Sequence, residues 1–184
     1  MTHHIDVGTV LRRAVCDLYS NLVTRPTGAA VRREIESVLA ELAPPRLTVI
    51  DFSQVGLLDF SCADEVIGKL VDDTGRRRDA VETYFLVRGV RDDHFEAIES
   101  AMARYDQAIL VERDDNSWHV VGRLDNDLRR TLAIVLDRGR AEAAQVAAEL
   151  EESPDALQAM LEGLWQRRLV MRDDSGYVSL PSGL

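Results

Sequence analysis

The chain has 184 residues, of which 46% are hydrophobic, and a formal net charge of −10. That is room for one generous domain or two small ones with an ordinary core content. The longest apolar runs, such as Tyr84 to Val87, are far too short for a bilayer, and Met1 to Gly8 has no apolar signal region, so no membrane partner and a cytoplasmic location are expected. The acidic balance disfavours non-specific nucleic-acid binding, and Cys16 and Cys62, without metal-ligand spacing, read as reduced core thiols.

In chain order, Val7, Val10, Leu11, Ala14, Val15 and Leu18 recur at helical spacing and predict an amphipathic helix over Val7 to Tyr19. His3 and His4 stand before it without a third ligand at useful spacing, so no metal is assigned to them. Asn21 to Arg25 is short and β-leaning, and Pro26 ends it. Thr27 is the expected N-cap of a second helix with Val31, Ile35, Val38, Leu39 and Leu42 inward, stopped by Pro44 and Pro45. Arg25, Thr27, Gly28 and Arg32, with Arg33 beside them, admit two readings. A Pro-Thr-Gly turn opening a helix among arginines can cradle an anion. In the plainer reading, which we favour, Thr27 caps, Gly28 gives room and the arginines are solvated.

Leu47 to Phe52 is a β-branched, apolar run that reads as a buried strand, with Asp51 near its end. A short apolar piece, Val55 to Leu58, leads into Asp59, Phe60 and Ser61. From Ala63 the period changes, and Val66, Ile67, Leu70 and Val71 mark one face of a helix. The unit is strand, polar loop, helix, with Asp59 and Ser61 just ahead of the helix. Asp51, Asp59, Asp64 and Glu65 admit an Mg²⁺ site or, more commonly, loop caps and a solvated helix face.

Asp72 to Asp79, with Arg76, Arg77 and Arg78, reads as a charged connection. Thr83 to Val87 is the next strand, Asp93 the expected cap of a helix burying Phe95, Ile98, Met102 and Tyr105, and Ala108 to Glu112 another strand. Asp114, Asp115 and Asn116 turn the chain into Trp118 to Val121, which pairs back as a hairpin. No Ser-His-Asp or Cys-His arrangement is readable, His94 and His119 lying in a cap region and an expected strand without evident partners, so no catalytic residue, cofactor or metal is assigned and no enzyme is expected. Alternating helices and strands predict an α/β fold with a partly parallel, mixed sheet and helices packed on it.

The Asp51-ending strand, the small-residue loop and the helix Ala63-Asp64-Glu65-Val66-Ile67-Gly68-Lys69-Leu70 resemble the STAS fold of sulfate transporters and anti-sigma factor antagonists, and more narrowly the bacterial STAS-like domains of unassigned role. The resemblance covers roughly Val23 to Val111 and is most specific from Val49 to Leu70. It implies docking onto a regulatory protein partner of histidine-kinase-type ATPase fold, through the Asp59 to Glu65 loop and the following helix. Asp59, Phe60, Ser61 and Asp64 are the contact or switch residues it implies, with Leu58 and Phe60 as apolar anchors. In the antagonists a hydroxyl directly after the Asp accepts phosphate. Here Phe60 stands at that position and Cys62 where a glycine would be, so any switch falls to Ser61. Otherwise Ser61 caps the helix.

The last third differs in texture. Leu124, Leu128, Leu132 and Val135 mark one helix, ended by Gly139, and Ala143, Val146, Ala147 and Leu150 a second. Ser153-Pro154 opens a third with Leu157, Met160, Leu161 and Leu164 on one face. Leu169 to Arg172 and Tyr177 to Leu180, joined by Asp-Asp-Ser-Gly, form a ribbon. Three helices and a hairpin resemble a winged helix-turn-helix, and Leu164 to Val170 is similar to its helix-to-wing junction. The expected division is 1–122, STAS-like, and 123–184, winged-helix-like. Arg167, Arg168 and Arg172 are the candidate DNA contacts. Yet from Arg123 onward there are eight arginines, no lysines and eleven Asp or Glu, a net charge of −3. The sequence therefore points first to a bacterial, non-catalytic regulatory protein that docks a partner, and second to a DNA-binding regulator with a STAS-like sensing domain. An oligomer is open to it, though no heptad pattern demands one.

Overall fold

Strand β3 (Arg46–Asp51) buries Leu47, Val49 and Ile50 on alternate faces, so it needs pairing and cover on both sides, as a parallel strand does. It finds them in a five-stranded sheet of order β1-β3-β5-β6-β7, with β1 (Thr2–Asp6), β5 (Thr83–Arg88), β6 (Ala108–Glu112) and β7 (Trp118–Gly122). The first four strands run parallel, with Ile50 opposite Ile5 and Val87, and β7 closes antiparallel on β6. The structure is a computed structural model that describes residues 2–43, 46–76, 82–113, 115–150 and 152–183. Pro44, Pro45, Arg77, Arg78, Asp79 and Asp114, to which the sequence assigned a helix stop, a connection and a turn, lie outside the described residues. The chain forms two units, Met1–Arg123 and Leu124–Leu184.

Unit 1 is α/β with a mixed sheet. Its helices are α1 (Val7–Ala14), α2 (Arg25–Ala40), α3 (Phe60–Ala63), a π-helical turn (Asp64–Gly68), α4 (Lys69–Arg76) and α5 (Asp92–Arg104). They meet the sheet in one core containing Leu11, Ile35, Phe52, Ile67, Phe85, Ile98 and Ile109. Two further strands, β2 (Asn21–Leu22) and β4 (Leu57–Leu58), pair parallel as a separate ribbon.

Several expectations change. Strand β1 is unforeseen: Ile5 is the only buried residue of a polar five-residue edge strand, too weak a pattern to read. Its pleat sends His3 and His4 to opposite faces. Helix α1 ends at Ala14, because only Val7, Val10 and Leu11 have a core to face, and Leu18 is 92% exposed. Thr24, not Thr27, caps α2, its hydroxyl accepting from Thr27 N–H, with Pro26 in the first turn. The stretch read as a connection from Asp72 is helix as far as Arg76. Asp93 lies inside α5, whose N-cap is Arg91. Cys62 is buried, but Cys16 is exposed and no core thiol.

Unit 2 runs α6 (Asn126–Arg138), β8 (Arg140–Ala141), α7 (Ala143–Leu150), α8 (Pro154–Gln166), β9 (Val170–Asp173) and β10 (Gly176–Ser179). Asp125 caps α6, Gly139 ends it at φ 71, and Ser153 caps α8. The sheet order β8-β10-β9 includes a two-residue strand too short to read from sequence. The core is Leu132, Val135, Leu157, Leu161, Leu164 and Val170.

Two glycines give opposite expectations. Gly89 has φ +66, and a Cβ there would lie 2.4 Å from Ser53 N, where the chain passes Asp51. Gly75 sits in α4 with only Gln107 Nε2 nearby, at 3.6 Å. We expect Gly89→Ala to destabilise by about 1–3 kcal/mol through backbone strain. Gly75→Ala should stabilise by about 0.5–1 kcal/mol through helix propensity. Urea unfolding of both variants checks the pair.

Candidate functional site

The sequence from Leu57 to Lys69 builds the site. Asp59 adopts an extended conformation and caps α3, its Oδ1 accepting from Cys62 N–H at 2.8 Å. Ser61 does not cap. Its hydroxyl donates to the same Asp59 Oδ1 at 2.8 Å, so the carboxylate orders both the turn and the serine. Phe60 opens α3 and is 42% exposed. The ribbon decides which leucine faces out: Leu58 pairs with Leu22 and is buried, whereas Leu57 pairs with Asn21 and is 49% exposed. Of the two leucines it is therefore Leu57, not the expected Leu58, that is exposed.

One turn later the helix widens. Lys69 N–H donates to the carbonyl of Asp64, five residues back, and the π-helical turn carries Asp64 and Glu65 inward. Neither lies on a solvated face, since Asp64 is 0% and Glu65 2% exposed. Arg25 Nη1 donates to Asp64 Oδ2 at 2.7 Å and to Glu65 Oε1 at 2.8 Å. Arg104 reaches Asp64 Oδ2 at 3.4 Å, Arg32 Nε stands 3.5 Å from Glu65 Oε2, and Lys69 donates to Glu65 Oε1. Burial by itself pushes the Glu65 carboxyl up, but the bonds from Lys69 and Arg25 outweigh it and hold its pKa below the ordinary glutamate value. Burial and the Asp64 carboxylate push the Tyr105 phenol up.

The candidate anion-binding residues are thus occupied from within. Arg25 spans the two buried carboxylates, and Arg32 is shared between Glu65 and Glu36, which accepts from Arg32 Nη1 at 2.6 Å. The Thr27 hydroxyl meets that of Thr24 at 2.8 Å. A Cβ on Gly28 would lie 3.0 Å from both Cys62 Cα and Glu65 Cβ, so the glycine lets α2 cross α3 and the π-helical turn closely. Asp51 has its own partners, Ser53 N–H at 2.8 Å and Arg88 Nε at 2.9 Å. Among the described residues no three His, Cys, Asp or Glu side chains gather as metal ligands do. Burial and the Asp59 charge push the Cys62 thiol up to about 11, which keeps it protonated and unreactive near neutral pH.

In unit 2 the candidate DNA contacts lie around Trp165. Arg168 and Arg172 place their guanidinium groups 5.8 Å and 5.1 Å from its ring centre, and Arg172 also donates to Glu162 at 3.0 Å. Arg167 follows as the C-cap of α8. Asp155 is exposed in the first turn of α8, and Asp173 at the end of β9 holds Arg140 in a two-pronged ion pair.

Among the described residues, every exposed large hydrophobic lies in two segments: Val15, Leu18, Tyr19 and Val23 in one, Leu57 and Phe60 in the other. The β2–β4 pairing brings the end of the first segment, at Asn21 and Leu22 next to Val23, alongside Leu57 and Leu58 of the second. Sequence reasoning identified Phe60 but assigned Val15 and Leu18 to a buried helix face. The polar break at Cys16 and Asp17 was the available sign that the helix stops. No family model matches the chain, and no curated protein matches it.

Removing either buried carboxylate should show which charges are compensated. Asp64→Ala leaves Arg25 and Arg104 facing a void and should cost roughly 3–5 kcal/mol. A pH series tests Glu65: with its folded pKa depressed, its contribution is whole above the ordinary value of 4.5 and is lost as pH falls through the lower folded value. Glu65→Gln should therefore flatten the decline of stability below pH 4.5, measured by urea unfolding in parallel with the parent chain.

Proposed function

We propose that this chain is a non-catalytic regulatory protein in which unit 1 docks a partner protein through the Leu57–Ser61 segment, and unit 2 mediates a further protein interaction. The observation that carries this is that, among the described residues, the exposed large hydrophobics fall in the two segments that the β2–β4 pairing connects, Val23 and Leu57 with Phe60 beside a helix start ordered by Asp59. Single exposed apolar residues are ordinary on a soluble surface, but a contiguous group marks an interaction site. The STAS-like reading of unit 1 draws support from the parallel sheet and from the capped helix that follows β4. By that resemblance the partner is an ATPase-fold regulator of the anti-sigma type, and their exposure makes Phe60 and Leu57 its anchors. Asp64, buried and ion-paired, holds the loop rather than touching the partner. Ser61, bonded to Asp59, needs no phosphate for this role.

The winged-helix reading of unit 2 draws support from its order of helix, strand, two helices and two strands, with β10 central. A protein contact is favoured over DNA on electrostatics. Phosphate contacts supply most of the affinity in such complexes. Here Arg172 is bonded to Glu162, Arg140 to Asp173, and the start of α8 is acidic.

Affinity capture from native lysate with the tagged full chain tests the docking reading. Phe60→Ala and Leu57→Asp should each weaken the captured complex by roughly 10–100-fold, the equivalent of one buried apolar side chain, with thermal melting close to the parent's. Undiminished capture by both variants removes the reading. For unit 2, no retardation of duplex DNA is expected in a gel shift at about 0.15 M salt, where non-specific complexes are weak. Salt-sensitive retardation abolished by Arg172→Ala would assign unit 2 to DNA instead.

A further inference from the structure

The β2–β4 ribbon carries more than exposed apolar side chains. Ser20 and Leu22 turn their carbonyls toward β4, accepting from Gly56 N–H at 2.6 Å and Asp59 N–H at 2.9 Å. By the alternation of a strand, the backbone groups of Asn21 and Val23 then point to the other edge. Among the described residues neither amide has a hydrogen-bond partner there. The chain stays extended through Thr24, at φ −138 and ψ 141, before α2 begins. Leu22 and Leu58 face the core, while Asn21, Val23 and Leu57 lie on the outward face. Proteins usually blunt a strand edge with charge, proline or a covering segment. This one is left with Val23 and Leu57 showing.

Charge distinguishes among the molecules able to cover it. Helix α1 delivers Arg12 and Arg13 in its last turn, immediately before Val15. Arg12 is held by two neutral groups, Gln54 Oε1 at 2.8 Å and Thr9 Oγ1 at 3.2 Å, so no carboxylate cancels its charge, and Gln54 fixes it beside the approach to β4. Arg13 is 75% exposed but already has a carboxylate partner, its Nη2 lying 3.1 Å from Glu34 Oε1, so Arg12 is the cation left for an incoming acid. These cations edge the patch of a chain whose net charge is −10. A second copy would bring the same arginines against themselves about a two-fold axis, between two chains that each carry a net charge of −10. Extended backbone supplies what the open amides need, and an acidic side chain supplies what Arg12 needs.

We propose that the outer edge of β2 accepts an added strand from a partner: an extended peptide segment with alternating apolar side chains and acidic residues beside them. The inference rests on the docking reading and specifies its mode. Main-chain bonds to Asn21 and Val23 supply affinity, the apolar side chains pack over Val23, Leu57 and Phe60, and the acidic residues meet Arg12.

Selection of a phage-displayed random-peptide library on the immobilised full-length chain supplies the probe, and fluorescence anisotropy of the enriched peptides measures binding. The expected peptides alternate apolar residues and carry Asp or Glu. N-methylation of the alternate amides that face β2 should weaken binding by at least about tenfold, and methylation of the other set should not. Asn21→Pro, which removes an outward N–H that the fold does not use, should weaken binding comparably. Enrichment of basic peptides, of peptides with helical i, i+3, i+4 spacing, or of none overturns the proposal. So does binding that is lost in Leu57→Asp but indifferent to both N-methyl sets, which keeps the docking reading and removes strand addition. A dimer in sedimentation velocity that Leu57→Asp abolishes assigns the edge to a second copy and overturns it as well.

Discussion

Two neighbouring carboxylates taken out of water constrain unit 1 more than any other feature. Asp64 and Glu65 are adjacent in sequence, and charged residues of an ordinary amphipathic helix lie on its solvated side. The π-helical turn brings both inward, and each then needs cations supplied from elsewhere. Arg25 and Arg32 come from α2, Arg104 from α5 and Lys69 from the next turn of the same helix. Three helices are tied to one pair of acids. A buried ion pair contributes little net stability compared with apolar packing, but each charge left without its partner is costly. The arrangement therefore fixes geometry: α2 can cross only where Gly28 lets it approach and where Arg25 reaches both carboxylates.

That geometry presents the surface. The strand of Leu57 and Leu58, the Asp59 cap and Phe60 immediately precede the anchored turn, so the apolar loop rides on a segment held by ion pairs and a backbone cap. The other half of the patch, Val15 to Val23, is joined to it by the short β2–β4 ribbon. The same charges that resemble a ligand site in sequence are internal fittings in the fold. Arginines facing buried carboxylates do not receive an anion, and carboxylates facing arginines do not gather a metal. The surface that is left is apolar and edged by Arg12 and Arg13, which suits a macromolecular partner better than a small ion.

Unit 2 follows a comparable logic on a smaller scale. Its arginines are used on its own surface, Arg172 against Glu162 and Trp165, Arg140 against Asp173. These contacts order the β9–β10 hairpin and the end of α8, and they reduce the positive potential available to a phosphate backbone.

The sequence by itself determined the parts whose signal is local. The apolar β-branched runs became β3, β5 and β6, the 3.6-residue periods became α2, α5, α6 and α8, and Ser153, Asp59 and Gly139 acted where cap chemistry requires. Phe60 was legible as an anomaly, an aromatic ring where a small polar residue is expected. Tertiary structure decided what depends on partners distant in sequence. Whether Val15 and Leu18 are core or surface depends on where the sheet ends, not on their spacing. Leu57 and Leu58 are chemically identical, and only pairing with β2 turns one outward and the other in. Asp64 reads as solvated because nothing local supplies its cations; those lie some forty residues away on either side, at Arg25 and Arg104, and Glu65 adds Arg25 and Arg32 to its one local partner, Lys69. Local chemistry selects a conformation, but burial and charge compensation are properties of the assembled chain.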